Sequence, residues 1–185
     1  MSREMGSPTD EELMERFCDG AHEAFEALFA RHAGRVQGFL ARMVRDAPLA
    51  EDLLQSTFLS VIRSRGRYER GTRFVPWLMT IAANAARDAL RHQRHVAAYS
   101  ASAEGAADAT VVPPADGDPG LRKQLLDALQ QLPPDQREAV VLSKVEGWSF
   151  EEIAALRGIR PGAARLRAHR GYEKLRALLG GLEGA

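Results

Sequence analysis

Apolar residues in "EAFEALFARHAGRVQGFLARMV" recur at three- and four-residue steps, and Phe25, Leu28, Phe29, His32, Val36, Phe39, Leu40 and Met43 predict one buried helix face over residues 23–44. A second helix follows in "LAEDLLQSTFLSVIRS", where Leu53, Leu54, Phe58, Val61 and Ile62 form the stripe and Pro48 sits just before the start. The third, "RFVPWLMTIAANAARDALRHQ", sets Phe74, Trp77, Leu78, Ile81, Ala82, Ala85 and Ala89 on one face. Its Pro76 suits a first turn, where the missing N–H costs nothing.

The period then fails. Residues 96–120 are rich in Ala, Gly, Ser, Pro and Asp, and such a chain is a flexible linker with a root-mean-square reach of roughly 25 to 30 Å. Beyond it Leu121, Leu125, Leu129 and Leu132 mark a helix that stops at "PPD", and "DQREAVVLSKVEG" gives another, ended by Gly147. In "SFEE", Ser149 and Glu152 have the spacing of a capping box, so a short helix starts there and ends at Gly158. Pro161 opens the next one. Two short helices joined by a tight Gly-containing turn, the second strongly basic, form a helix-turn-helix. On that second helix Ala164, Ala168, Gly171, Leu175 and Leu178 follow a four-three-four-three spacing and face inward, which turns Arg165, Leu166, His169 and Arg170 outward. The fold class is therefore all-α: a helical domain over 1–95, an acidic linker over 96–120 and a helix-turn-helix domain over 121–185.

Composition narrows the picture only a little. At 185 residues with 45% hydrophobic and 27% charged positions, the chain is in the ordinary globular range. One cysteine, Cys18, cannot close an internal disulfide, the acidic N-terminus has no apolar signal core, and "FVPWLMTIAANAA" is too short to span a bilayer. The expectation is a soluble, cytoplasmic protein with no membrane insertion. Net charge is zero, yet the charges are sorted. Residues 31–95 hold twelve Arg against five acids, with Arg63, Arg65, Arg67, Arg70 and Arg73 crowded together. Residues 157–176 hold seven bases against one acid, whereas 96–120 hold four acids and no base. Two basic blocks flank an acidic connection, and the run from Arg63 to Arg73 reads equally as a solvated loop or as a surface close to nucleic acid.

Other candidate chemistry is thin. Trp77 lies on the apolar stripe and reads as core, whereas Tyr68 lies outside any stripe. His92 and His95 with Cys18 lack the second local pair that a zinc site needs, so no metal is expected. No nucleophile elbow, phosphate-cradling Gly loop or carboxylate pair is present, so no enzyme and no cofactor is expected.

Taken together, "AEDLLQSTFLSVI", "FVPWLMTIAAN" and "LPPDQREAVVLSKVEGWSFEEIAALRGI", in this order and with a linker between the blocks, resemble the extracytoplasmic-function sigma factors, small bacterial promoter-recognition subunits of RNA polymerase. The resemblance covers roughly residues 20–95 and 121–179. It implies a non-enzymatic subunit that binds core RNA polymerase and recognises minus-10 and minus-35 promoter DNA. Asp52 and Gln55 would meet the clamp helices of the largest subunit with Phe58 supporting them, and the second domain would meet the flap of the second-largest subunit. Tyr68, Asn84, Arg87 and Arg91 would serve the minus-10 element. Arg160, Arg165, Leu166, His169 and Arg170 would serve the minus-35 groove. An anti-sigma factor is an implied partner, and Glu104, Asp108, Asp116 and Asp118 of the linker would pass near the polymerase's RNA path. Departures from the family pattern are Ser56, where an acid is frequent, Ile62 in place of tryptophan, and Leu166 in place of a polar residue. Leu166 can touch a thymine methyl but forms no hydrogen bond.

Two other readings stay open at this level. An autonomous regulator would use the helix-turn-helix alone and ignore core polymerase. A sigma-like scaffold would bind polymerase without promoter use.

Overall fold

The computed structural model describes residues 7–99 and 119–180, so most of the expected linker lies outside the described residues. Four helices form a first unit: α1 (Asp10–Cys18), α2 (His22–Met43), α3 (Ala47–Ser64) and, after a 3-10 turn at Arg65–Arg67, α4 (Phe74–Tyr99). The second unit has α5 (Pro119–Gln130), α6 (Pro134–Val140) continued by a π turn at Val141–Val145, α7 (Phe150–Arg157) and α8 (Pro161–Gly180). Among the described residues there is no strand, so the all-α class holds.

The α2 stripe is buried largely as its spacing predicts: Leu28, Val36, Phe39, Leu40 and Met43 are fully enclosed. Phe29 is the exception at 41% exposed. On α3, Leu53, Phe58 and Val61 turn inward, but Ile62, expected on the same stripe, is 37% exposed. The reason is geometric. Val61 and Ile62 are about 100° apart on a helix, and Phe58 and Val61 already fix which side faces the core. On α5 the expected leucine stripe is buried only at its C-terminal end. Leu129 and Leu132 are enclosed, whereas Leu121 and Leu125 are 62% and 42% exposed.

One element has no counterpart in the helices expected from periodicity. Helix α1 is set by a capping box in which Thr9 Oγ1 accepts the Glu12 N–H and Glu12 Oε2 accepts the Thr9 N–H. Leu13, Met14 and Phe17 bury its inner face. Its acids then reach across the unit. Asp10 meets Arg31 at 2.9 Å and His32 Nε2 at 2.8 Å, and Glu11 Oε1 accepts the Phe74 N–H at the first turn of α4, at 3.0 Å.

In the second unit α8 lies so close to α6 that only glycine fits at 171. A β-carbon there would stand 2.6 Å from Val140 Cγ2 and 3.3 Å from the Gln136 carbonyl oxygen. Alanine gains roughly 1 kcal/mol of helix propensity over glycine. Gly171→Ala is nevertheless expected to destabilise the second unit by about 1 to 3 kcal/mol through overpacking. Chemical denaturation measures this, and an unchanged or raised midpoint contradicts the close approach.

Candidate nucleic-acid interface

The second basic block is aimed by local chemistry before any partner is present. Ser149 Oγ accepts the Glu152 N–H at 3.1 Å while Glu152 Oε2 accepts the Ser149 N–H at 2.9 Å, so the expected capping box starts α7. Gly158 ends it in the left-handed region at φ 61°, where a β-carbon would be strained. That turn swings the chain into α8. Ala164, Ala168, Gly171 and Leu175 are buried there, and Leu178 is partly buried. Arg165, Leu166, His169 and Arg170 are exposed together on the outer side of α8, and Arg160, in the turn just before the helix, is exposed as well. Arg165 is also held in place, its guanidinium carbon 5.5 Å from the centre of the Phe150 ring. Arg167 departs from this face to pair with Asp135 at 3.3 Å.

On α3, Asp52 and Gln55 are exposed and Phe58 is 3% exposed beneath them. Phe58 packs edge-on against Phe29, with ring centroids 4.7 Å apart, and braces the helix without reaching its outer surface. Leu59, 49% exposed, and Ile62 continue the outer stripe, giving a mixed polar and apolar surface of the kind that meets a protein. Leu59 was not among the residues expected there, although its spacing from Gln55 and Ile62 carries the signal.

The minus-10 candidates are less uniform. Asn84 and Arg91 are exposed on α4, and Arg87 is partly buried. Arg87 donates to the Asn84 side-chain oxygen and to the Ala83 carbonyl, which ties two candidates into one group. Arg91 pairs with Asp88 at 3.2 Å. Tyr68 lies deeper than its position in the chain suggests. It is 7% exposed, its hydroxyl donates to the Thr72 carbonyl, and its ring stands edge-on to Trp77 at 5.1 Å. Burial pushes its phenol up to about 12. The ring is thus part of the core that shapes the basic loop and offers no open face for stacking. Arg63, Arg65, Arg67, Arg70 and Arg73 are all exposed around it.

Comparison with known proteins gives these surfaces a context. Residues 28–96 match the model of sigma-70 region 2, and residues 122–175 match that of sigma-70 region 4. Over 170 residues the chain is 81% identical to the RNA polymerase sigma factor CarQ of Myxococcus xanthus, covering 92% of this chain and 97% of that one. It is 38% identical over 166 residues to the ECF RNA polymerase sigma factor SigE of Mycolicibacterium smegmatis, covering 86% of this chain and 63% of that one. The chain belongs to the extracytoplasmic-function sigma factors. As a sigma factor it binds core RNA polymerase and directs initiation at promoters. Its fold resembles the sigma factor RpoE of Bartonella quintana, solved in complex with the anti-sigma factor NepR, with a TM-score of 0.74 and 26% identity over 84% of this chain and 96% of that one. It also resembles CnrH, solved with the cytosolic domain of CnrY, with a TM-score of 0.69 and 25% identity over 93% of this chain and 97% of that one.

Two neighbouring residues of this sigma factor, Arg137 and Glu138 on α6, drew no expectation from the sequence and are almost wholly buried, at 5% and 2% exposed. Arg137 pairs with no acid among the described residues. It donates instead to the Met43 carbonyl, the Gln130 side-chain oxygen, the Gln130 carbonyl at 3.0 Å and the Leu132 carbonyl at 3.1 Å. Burial pushes its guanidinium down to about 10, still charged at neutral pH. Glu138 faces two cations, Arg157 at 3.1 Å within its own unit and Arg87 at 3.4 Å from α4. Burial pushes its carboxyl up, and Arg157 and then Arg87 pull the other way.

No helix among the described residues is long and apolar enough to cross a membrane. No group of three or more His, Cys, Asp or Glu among them is placed to hold a metal ion, and His92 and His95 are both exposed.

Proposed function

We propose that the two units divide promoter recognition, with α3 docking on core polymerase, α4 and the basic loop engaging the minus-10 region, and α8 entering the minus-35 major groove. The observation that carries this reading is the α8 face, where Arg165, Leu166, His169 and Arg170 are exposed together, with Arg160 exposed just before the helix, over an inner face of Ala164, Ala168, Gly171 and Leu175. A helix so mounted reads base edges with its outer side chains, while neighbouring arginines hold phosphates and set register. On α4, Asn84, Arg87 and Arg91 form the corresponding group. Tyr68 contributes by holding the loop from within.

Asp52 and Gln55 supply the polar part of the docking surface for the clamp helices, with Leu59 and Ile62 as its apolar part, and the second unit meets the flap of the second-largest subunit. Such a subunit works in the cytoplasm beside the polymerase and has no catalytic residues of its own. An anti-sigma factor is proposed as a further partner because the structural relative RpoE was solved with the anti-sigma factor NepR.

In vitro transcription with core enzyme over a genomic library, with start sites mapped, tests the reading. The expected result is a limited set of starts sharing two upstream elements, and no sigma-dependent start would sink it. The docking assignment has its own check. Asp52→Arg is expected to weaken core polymerase binding by about tenfold or more, since it sets a like charge against whatever base Asp52 meets. Duplex DNA binding should stay unchanged. Wild-type affinity for core in a pull-down titration would remove Asp52 from the surface.

A further inference from the structure

Helix α1 and the residue that caps it touch the basic loop between α3 and α4 at its start, its middle and its end. At the start the Cys18 Sγ–H donates to the Arg65 carbonyl at 3.2 Å, and the Arg65 guanidinium carbon stands 5.5 Å from the centre of the Phe17 ring. In the middle Arg70 Nη2 donates to Asp19 Oδ1 at 2.6 Å. At the end Glu11 Oε1 accepts the Phe74 N–H. Glu11, Glu15 and Asp19 are spaced by four residues and so share one side of α1. That side faces the loop, and after burial itself the charges of Glu11 and Glu15 help to raise the Tyr68 phenol.

These contacts complete what the loop does for itself. The Arg65 carbonyl also accepts the Tyr68 N–H at 3.3 Å, the Thr72 N–H donates to the Glu69 carbonyl at 3.0 Å, and the Tyr68 hydroxyl donates to the Thr72 carbonyl. Arg65 is thus the point where the loop's own turn and α1 meet. The Gly20 and Ala21 N–H groups return to the Phe17 and Arg16 carbonyls at 3.1 and 3.0 Å, which fixes the end of α1 that carries Cys18 and Asp19. Arg63, Arg65, Arg67, Arg70 and Arg73 all remain exposed.

Cys18 and Asp19 add little to the stability of the unit. A thiol is a weak donor, and both side chains of the Asp19–Arg70 pair are 61% exposed, so solvent screens it. As a charge Asp19 works against DNA, because it offsets one cation of the loop and repels phosphate. What the two residues supply is order, since a loop held in advance loses less freedom when its partner arrives.

We propose that α1 positions the basic loop for the minus-10 strand, with Cys18 and Asp19 as its positioning residues. The inference rests on the assignment of that loop to the minus-10 region. Removing the two contacts loosens the loop and weakens promoter opening, while binding to DNA by charge alone is kept.

The test uses the full chain with Cys18→Ala, Asp19→Asn and both together, beside the conservative Cys18→Ser and Asp19→Glu, each first checked for wild-type melting and wild-type affinity for core polymerase. Hydrogen exchange read by mass spectrometry follows residues 65–73 in the free protein. Permanganate reactivity of minus-10 thymines measures opening with core enzyme at promoters taken from the mapped start sites, and anisotropy with a random-sequence duplex reads binding by charge. In the double variant, exchange over the loop should quicken by roughly tenfold while the interiors of α2, α3 and α4 exchange as before. Opening should fall by roughly three- to tenfold, with no loss of affinity for the random duplex. Cys18→Ser and Asp19→Glu should each keep most of the opening. A folded double variant with wild-type exchange, faster exchange with wild-type opening, or an equal loss of random-duplex binding would each overturn the proposal. If the double variant does not fold, Asp19→Asn decides it alone, since it alters only an exposed pair. A wild-type chain that opens no promoter with core enzyme fails the sigma reading instead, and loop exchange then decides whether α1 holds the loop.

Discussion

Replacing Arg165 and Arg170 together by alanine is expected to lower transcription from promoters that depend on a minus-35 element by roughly a hundredfold or more, at about 1 to 3 kcal/mol for each base-reading side chain removed. Core polymerase affinity should not change, because both side chains sit on the outer face of α8 and neither is used by the core of the second unit. Leu166→Ala should cost much less, since an apolar touch on a thymine methyl is all that side chain can offer. Run-off transcription and a polymerase pull-down on the same preparations check this. Equal loss in both assays would contradict the division between the units, and unchanged transcription would remove α8 from the groove. Because Arg165 rests on Phe150, part of its orientation is already fixed before DNA arrives.

The largest effect on stability should come from Arg137. Arg137→Met keeps the volume but leaves the Met43, Gln130 and Leu132 carbonyls and the Gln130 side-chain oxygen without their donor. Losing charge-assisted hydrogen bonds from a residue 5% exposed should cost about 3 to 5 kcal/mol, the range for breaking a buried charged network. At about 2 to 4 °C per kcal/mol for a chain of this size, the melting temperature should fall by roughly 6 to 20 °C. Arg137→Lys keeps the charge but not the planar fork, and should lose about half as much. Calorimetry decides the point. A change of less than about 1 kcal/mol for Arg137→Met would mean that water replaces the guanidinium.

What could be read along the chain, and what could not, follows from how far apart the partners are. The inward side of α8 was legible because Ala164, Ala168, Gly171 and Leu175 are small or apolar at helical spacing, and their periodicity alone defines the outer face. The start of α7 was legible because Ser149 and Glu152 need only each other. Arg137 and Glu138 were not, since in the sequence they stand as a charged pair in an ordinary helix, and their partners come from α2, α4, α5 and α7. Tyr68 misleads for a related reason. It belongs to no stripe, yet a loop folds its ring against Trp77. Ile62 errs in the opposite direction, its apolar character suggesting core when it lies beside Leu59 on the outer surface of α3. Helix α1 carries a readable signal in "TDEE", the same type of cap as "SFEE", but its apolar face is only Leu13, Met14 and Phe17 in an acidic stretch, too short for a sustained period.

That first helix bears on how the protein can be taken apart. The region 2 match begins at residue 28, but Glu11 closes the first turn of α4 and Asp10 holds His32 and Arg31. A fragment cut where the family resemblance starts would leave the Phe74 N–H and the His32 ring without their acceptors and Phe74 without part of its cover. The smallest piece of this chain able to hold α4 in place is therefore longer than the stretch by which its family is recognised.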